Sequence, residues 1–294
     1  MLKEYLLASC QTQYQNSCAG NCGSACDNPF NCKGACDAPG GCLDQVHWYP
    51  NRLGRTDYSC EYLLRKYVLT FTERYERQII DVFRCIDMSQ FPGYNILSLG
   101  CGGAPDLMAF EEMTNGLKYI HYSGIDKNPK WQSIHSILQY YCDSTGIDAK
   151  FAQEDVFTVL ESPNFPAYQY NIIVIQYMLS HLYNTGQDQK TDELFDRIIN
   201  SVLPARLPNS PFLIIICDVD SINKGRKKWF SLLDKLEQNG YCGHAVAKSY
   251  YTNGDLGVER WSRNKASPLF GNICYQFVQN TSEHDGAQLI IELE

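Results

Sequence analysis

The chain has 294 residues and a formal net charge of −8, and 44% of its residues are hydrophobic. This composition supports a sizeable core, and the acidic balance argues against broad binding to nucleic acid through bulk charge. No apolar run approaches the ~20 residues that a membrane helix requires. The apolar stretch at residues 5–8 is also shorter than the core of a secretory signal, so we expect a soluble, cytoplasmic protein.

Cysteines dominate residues 1–58, which we interpret as a separate Cys-rich module. Between residues 18 and 42 they follow the spacing C-x3-C-x3-C-x5-C-x3-C-x5-C, with few apolar residues between them. Thiolates close in sequence can wrap a tetrahedral ion, and this number of thiolates would hold about two Zn²⁺ ions of four ligands each. An iron–sulfur cluster uses the same ligands, whereas disulfides would require an oxidising compartment. The predicted metal ligands are Cys10, Cys18, Cys22, Cys26, Cys32, Cys36, Cys42 and Cys60.

A long amphipathic helix is predicted next. Apolar residues recur at spacings of three and four over residues 60–88, without an internal proline or glycine. The Phe-Pro-Gly sequence at residues 91–93 ends this pattern. We therefore assign residues 59–93 to a connecting helix and residues 94–294 to a second domain.

Strand and helix patterns alternate through this second domain. Such alternation predicts a doubly wound α/β fold with a mostly parallel sheet, whose central strands are apolar because both faces are covered. The predicted strands are residues 95–100, 119–126, 149–155, 170–178, 211–220, 241–251 and 271–280, and the predicted helices are residues 105–115, 130–142, 188–203 and 226–239.

Glycines and polar side chains follow the first four predicted strands. The first strand runs into residues 100–103, Gly-Cys-Gly-Gly, where the backbone can turn sharply and a ligand can lie against bare peptide. The second strand ends at Asp126, whose carboxylate can accept hydrogen bonds from a ribose diol. The third ends in residues 154–157 and the fourth in residues 176–182. Because parallel strands share their carboxyl edge, we expect one ligand site there.

Together these features resemble the class I S-adenosylmethionine-dependent methyltransferases over residues 94–280. The resemblance is carried by GCGG (100–103), GID (124–126), EDVF (154–157) and IVIQYMLSHL (173–182). It implies a seven-stranded sheet with an antiparallel last strand, and S-adenosyl-L-methionine as the cofactor. The family usually has Asp or Glu where this chain has Ser98, a position that helps to orient the cofactor. The implied cofactor-binding residues are Ser98, Gly100, Cys101 and Gly102 near the methionine part, Asp126 and Lys127 near the ribose, Asp155 and Val156 at the adenine, and Gln176 and Tyr177 facing the sulfonium.

The methyl acceptor is predicted from weaker signals. His181 is the candidate base for an acceptor that must lose a proton, and Tyr177 is a candidate wall or hydrogen-bonding residue. The fourth strand is not followed by Asn/Asp-Pro-Pro-Tyr/Phe or by Pro-Cys, which argues against the usual methylation of the adenine amino group or of cytosine C5. Basic residues at 224–228 and 260–265 suit a solvated face, phosphate and base contacts, or a protein tail.

A Cys-rich module ahead of the catalytic domain is a layout similar to that of some methyltransferases acting on ribosomal RNA or tRNA. The predicted acceptor is therefore RNA, with a protein as the second choice. The alternative function is a methyltransferase fold that has lost activity and binds RNA or a protein partner.

Overall fold

A single seven-stranded sheet organises the chain. The protein is described here by a computed structural model covering residues 1–17, 42–47, 58, 60–166, 168–221, 226–249 and 286–293. The strands are β1 (Tyr94–Leu99), β2 (Ile120–Ile125), β3 (Asp148–Ala152), β4 (Ile172–Gln176), β5 (Phe212–Val219), β6 (Gly243–Ser249) and β7 (Gly286–Leu293).

The strand order is β3-β2-β1-β4-β5-β7-β6. Strands β1 to β5 pair in parallel, whereas β7 lies antiparallel between β5 and β6. The predicted α/β fold class is therefore confirmed, including the antiparallel last strand. One strand position needs correction, because β7 occupies Gly286–Leu293 and the strand predicted at 271–280 lies outside the described residues. The apolar run Leu-Ile-Ile at 289–291 provides the buried residues that a strand between two neighbours needs.

Helices cover both faces of the sheet and bury its alternating side chains. In β4, Ile172 and Val174 belong to one hydrophobic cluster, while Ile173 and Ile175 belong to the cluster on the other face. The helices are α1 (Leu2–Ser17), α2 (Cys42–His47), α3 (Glu61–Cys85), α4 (Pro105–Thr114), α5 (Gln132–Thr145), α6 (Val156–Glu161), α7 (Met178–Asn184), α8 (Gln189–Arg197) and α9 (Lys228–Gln238). None of the helices in the described ranges combines the length and apolarity needed to cross a membrane.

Helix α1 is an element that the sequence patterns did not predict. It lies within residues 1–58 and packs against α3, where Leu2, Leu6 and Cys10 are fully buried in the same cluster as Leu64 of α3. An ion pair also connects the two helices, because the Lys3 Nζ lies 2.7 Å from Glu76 Oε2. Helix α1 therefore packs against α3 within the main hydrophobic core and stabilises its position.

Candidate active site

A large cavity opens at the carboxyl ends of β1, β2 and β4. Its volume is about 880 Å³, within the upper part of the range for small-molecule sites. Two walls of different composition line this cavity. We call the first the strand-end wall, formed by Gly100, Cys101, Gly102, Asp126, Lys127, Asp155, Val156, Phe157, Gln176 and Tyr177, and the second the aromatic wall, formed by Tyr58 together with Tyr67, Phe71 and Tyr75 of α3.

The glycine turn after β1 is held in its shape by backbone geometry. Gly100 and Gly102 have φ angles of +71° and +50°, in the left-handed region that favours glycine. The N–H groups of Gly100 and Cys101 both donate to the Ile125 carbonyl, at 2.8 and 3.1 Å. This ties the turn to the end of β2, so that the backbone at residues 100–103 forms part of the cavity surface.

Asp126 joins this turn to the next loop. Its Oδ2 accepts from the Gly102 N–H at 3.0 Å, and its Oδ1 accepts from the Asn128 N–H at 2.9 Å. Burial raises the pKa of this carboxyl, although the same two backbone hydrogen bonds oppose the rise. Each carboxylate oxygen can accept more than one hydrogen bond, so Asp126 keeps acceptor capacity for a ligand that lies in the cavity.

Asp155 begins α6 at the far end of the strand-end wall. As the N-cap residue, it accepts from the Phe157 N–H through Oδ1 at 2.9 Å. The side chains of Val156 and Phe157 follow it along the cavity, and the Lys190 Nζ lies 5.0 Å from the centre of the Phe157 ring. A carboxylate beside a flat apolar surface can hold an aromatic ring that carries an exocyclic amine.

The end of β4 connects the two walls. Tyr177 adopts a left-handed conformation with φ of +56°, which is uncommon for a residue other than glycine, and its N–H donates to the Cys217 carbonyl at 2.7 Å. Its hydroxyl accepts from Gln78 Nε2 of α3 at 2.6 Å, and its ring centre lies 4.2 Å from that of Tyr75. Burial raises the pKa of Tyr177, so its hydroxyl stays protonated at neutral pH.

Gln176 makes a second connection between β4 and α3. Its Nε2 donates to the Tyr75 carbonyl at 3.0 Å. The resemblance placed Gln176 and Tyr177 at the reacting end of the cofactor, and both line the cavity. They reach α3 through hydrogen bonds that join residues about a hundred positions apart, which no local pattern indicates.

His181 lies one turn into α7 and faces the same cavity. Its ring centre is 6.5 Å from that of Tyr58. Burial lowers its pKa, and the positive charge of Lys127 lowers it further. The imidazole is therefore neutral at pH 7 and available to accept a proton.

The aromatic wall was missed as a functional surface. Tyr67, Phe71, Arg74 and Tyr75 lie on one face of α3, because their spacing follows the helical period. The sequence patterns assigned the aromatic residues among them to the buried face of an amphipathic helix, but that face borders the cavity. The sequence feature that could have indicated this surface is its aromatic content, since four of the residues at 58–75 that line the cavity carry aromatic rings.

Ser98 is the one predicted cofactor residue that does not line the cavity. It is buried in β1, beside Asp106 in the first turn of α4. Burial raises the pKa of Asp106 to about 6, while hydrogen bonds from Ser98 and Tyr122 oppose the rise. The Tyr122 hydroxyl donates to Asp106 Oδ1 at 3.0 Å. The carboxylate of Asp106 therefore lies next to Ser98, and it belongs to α4 rather than to β1.

Three of the predicted metal ligands fall in the described part of the chain. Burial raises the pKa of Cys10 to about 12, so its thiol is neutral in the hydrophobic cluster between α1 and α3. Cys42 and Cys60 lie in a smaller cluster with Leu43, Val46 and Leu63. The described residues contain no group of three or more His, Cys, Asp or Glu side chains that could hold a metal ion. The other predicted ligands, Cys18, Cys22, Cys26, Cys32 and Cys36, lie outside the described residues.

Comparison with solved structures assigns the fold. No family model matches the chain, and a search of curated proteins finds no match. The plantazolicin methyltransferase BpumL, solved in complex with S-adenosylhomocysteine, is 16% identical, with a TM-score of 0.51 over 86% of this chain and 94% of that chain. At this level of identity, the likeness shows that this chain has the class I methyltransferase fold.

Two other solved methyltransferases show lower similarity. A SAM-dependent methyltransferase of Leishmania major is 12% identical, with a TM-score of 0.44 over 81% of this chain and 79% of that chain. An O-methyltransferase from Bacillus cereus, in complex with S-adenosylhomocysteine, is 11% identical, with a TM-score of 0.43 over 74% of this chain and 80% of that chain.

Proposed function

We propose that this protein is a methyltransferase that uses S-adenosyl-L-methionine. The observation that carries the proposal is the strand-end wall, which brings the glycine turn, Asp126 and Asp155 to one cavity on a methyltransferase fold. When bound, the cofactor supplies a methyl group on a sulfonium. The residues of this chain fit the group, because Gly100 and Gly102 expose backbone and Asp126 retains acceptor capacity.

The acidic and the apolar residues of the strand-end wall have different roles in this proposal. Asp126 accepts hydrogen bonds from the ribose hydroxyls while it fixes the glycine turn through the Gly102 N–H. Asp155 accepts from the adenine amine, and Val156 and Phe157 cover the adenine ring. Burial strengthens these polar contacts, because water competes less in a partly enclosed cavity.

His181 and Tyr177 are proposed to act on the acceptor. The lowered pKa of His181 keeps it neutral, so that it can take the proton of a hydroxyl or ammonium acceptor. Tyr177 stays protonated and is fixed by Gln78 and Tyr75, which suits a positioning wall rather than a base. Alignment of the acceptor with the methyl group supplies much of the rate in such a displacement.

The RNA or protein acceptor predicted from the sequence has little support from the first basic group, at residues 224–228, as far as the structure describes it. Lys228 lies 2.5 Å from Asp192, and Lys227 lies 3.5 Å from Asp188, so these two cations are neutralised within the chain. The second basic group, at residues 260–265, lies outside the described residues. We therefore favour an acceptor whose reactive end is small enough to enter the cavity.

Calorimetry with S-adenosylmethionine and S-adenosylhomocysteine tests the proposal. We expect both to bind with dissociation constants below about 100 μM, within the usual range for enzyme ligands. No binding at that concentration would contradict the proposal. Binding without methyl transfer to any component of a mixed extract, followed with a radiolabelled methyl group, would favour the alternative of an inactive binding protein.

We also propose that the cysteines of the N-terminal part bind zinc. The support is the spacing of residues 18–42 and the shared location of Cys42 and Cys60 in one cluster. Metal analysis of the purified chain should find zinc at about two ions, and an absorption spectrum without a brown chromophore would separate it from an iron–sulfur cluster. Absence of bound metal from protein purified without chelator would contradict this proposal.

A further inference from the structure

Arg74 gives the aromatic wall a positive charge. It is the only cationic residue among those that α3 contributes to the cavity lining in the described structure. Its guanidinium carbon lies 5.5 Å from the centre of the Phe71 ring, a stacking arrangement that orients the guanidinium. The hydroxyls of Tyr67 and Tyr75 lie 3.4 Å apart, and both residues line the cavity together with Arg74.

No carboxylate of the described residues pairs with Arg74. It forms no ion pair and no hydrogen bond with a described residue, whereas Arg65 of the same helix pairs with Glu61 at 3.3 Å. Neither of the two carboxylates that line the cavity, Asp126 and Asp155, forms an ion pair with Arg74, and both accept backbone N–H groups of the strand-end wall. The charge of Arg74 is therefore left to interact with a ligand.

The surroundings of Arg74 favour a carboxylate partner. A guanidinium presents a planar fork of donors that matches a carboxylate in a two-point contact. Burial raises the pKa of both Tyr67 and Tyr75, so both hydroxyls remain protonated, and that of Tyr75 can donate to a ligand. The Tyr67 hydroxyl donates to that of Tyr75 at 3.4 Å, so the Tyr75 proton is not used in this contact. The rings of the aromatic wall provide a flat apolar surface next to these donors.

We propose that the methyl acceptor is an aromatic or other planar compound carrying a carboxylate, and that Arg74 binds this carboxylate while the aromatic wall packs against the planar part. This inference rests on the proposed function, because it names the substrate class of the same cavity. Arg74 is then a specificity-determining residue of the aromatic wall, whereas the residues proposed to bind the cofactor belong to the strand-end wall.

Matched pairs of small ligands test the inference without knowledge of the natural acceptor. The probes are benzoate and benzamide, 1-naphthoate and 1-naphthamide, and indole-3-acetate and indole-3-acetamide, measured by saturation-transfer NMR and by titration with S-adenosylhomocysteine at saturation. We expect each carboxylate to bind about tenfold more tightly than its amide, as for one additional charge-assisted contact. In Arg74→Gln this ratio should fall to about one, while the affinity for S-adenosylhomocysteine stays within about threefold.

Two further variants exclude trivial explanations. Arg77→Gln removes the same charge from an exposed position of α3 outside the cavity lining, and it should keep the preference for carboxylates. Arg74→Lys keeps the charge without the planar fork, and an intermediate ratio is expected. Arg74→Lys also provides the measurement if the glutamine variant does not fold.

Three results would overturn the inference while S-adenosylhomocysteine still binds. They are equal affinity for acids and amides in the unmodified protein, an unchanged preference in Arg74→Gln, and no binding of any carboxylate. A preference lost equally in Arg77→Gln would also overturn it, since bulk charge would then be the cause. Failure of S-adenosylhomocysteine to bind would overturn the proposed function and this inference together.

Discussion

The two walls of the cavity are built by different means. The strand-end wall consists largely of backbone and carboxylates at the ends of parallel strands, fixed by hydrogen bonds such as that from Gly102 to Asp126. The aromatic wall consists of Tyr58 and of side chains on one face of α3, and this helix reaches the sheet edge through long-range hydrogen bonds of Gln78 and Tyr75. The first wall follows from local sequence and sheet topology, whereas the second depends on where a helix docks. Substitutions that affect one wall should therefore leave the other largely unchanged.

The largest effect is expected from Asp126→Asn in the strand-end wall. The amide keeps the shape but cannot accept from Gly102, Asn128 and a ribose diol together, so the dissociation constant for S-adenosylhomocysteine should rise about 30-fold, or about 2 kcal/mol. Calorimetry measures this change. Glu154→Gln, an exposed acid near the same edge that does not line the cavity, should stay within about twofold. Equal affinity of Asp126→Asn and the unmodified protein would remove Asp126 from the site.

The support behind the aromatic wall is tested by Lys3→Met. This variant leaves Glu76 of α3 buried without the ammonium group that lies 2.7 Å away. We expect it to lower the free energy of unfolding by about 1.5 kcal/mol. This cost is smaller than for a fully buried ion pair, because Lys3 is partly exposed. The control is Lys235→Met, whose partner Asp196 is exposed, and it should cost about 0.5 kcal/mol or less. Denaturant titration measures both.

The pH dependence of the Lys3 effect has a definite sign. Burial raises the pKa of Glu76 to about 7. Between pH 4.5 and 7, the folded state therefore binds more protons at Glu76 than the unfolded state does. The contribution of Glu76 to the free energy of unfolding falls as pH rises through this range. Protonated Glu76 needs no counter-ion. Lys3→Met should therefore destabilise the protein more at pH 8 than at pH 5, and a larger cost at pH 5 would contradict this assignment.

The contact that joins the two walls is tested by a double-mutant cycle of Gln78→Leu and Tyr177→Phe. Their hydrogen bond of 2.6 Å is expected to give a coupling free energy of about 1 kcal/mol in unfolding measurements. S-adenosylhomocysteine affinity should change little in Tyr177→Phe, because the lost hydroxyl faces α3 rather than the glycine turn. Strictly additive effects would mean that the two walls are energetically independent at this point.

The smallest effect concerns the titration of His181. NMR of the imidazole should give a midpoint below the ordinary pKa of 6.5, because burial and the charge of Lys127 both disfavour the protonated ring. Lys127→Gln removes one of these causes, so the midpoint should rise. A midpoint above 6.5 in the unmodified protein would argue that His181 is not held as a neutral base.

The sequence indicated one wall far better than the other. The glycine turn, Asp126 and Asp155 were predicted because each follows a strand directly, and parallel strands must end at a common edge. The aromatic residues of α3 gave only a helical period, which is the same for a face buried in a core and for a face that lines a cavity. Ser98 shows a related limit, since its hydrogen bond to the buried Asp106 of α4, eight residues later, follows from packing rather than from a local pattern.

By itself, the sequence determined the α/β fold, the succession of strands β1 to β6, the helices α3, α4, α5, α8 and α9, and the residues that follow the first four strands. Those features depend on periodicity and glycine chemistry, which act over short stretches of chain. Only the tertiary structure decided that β7 forms at Gly286–Leu293, that α1 packs against α3, and that Arg74 and Tyr67 line the same cavity as Tyr177. These arrangements depend on packing between residues far apart in the chain, where the burial of complementary surfaces selects the partner and no local pattern records it.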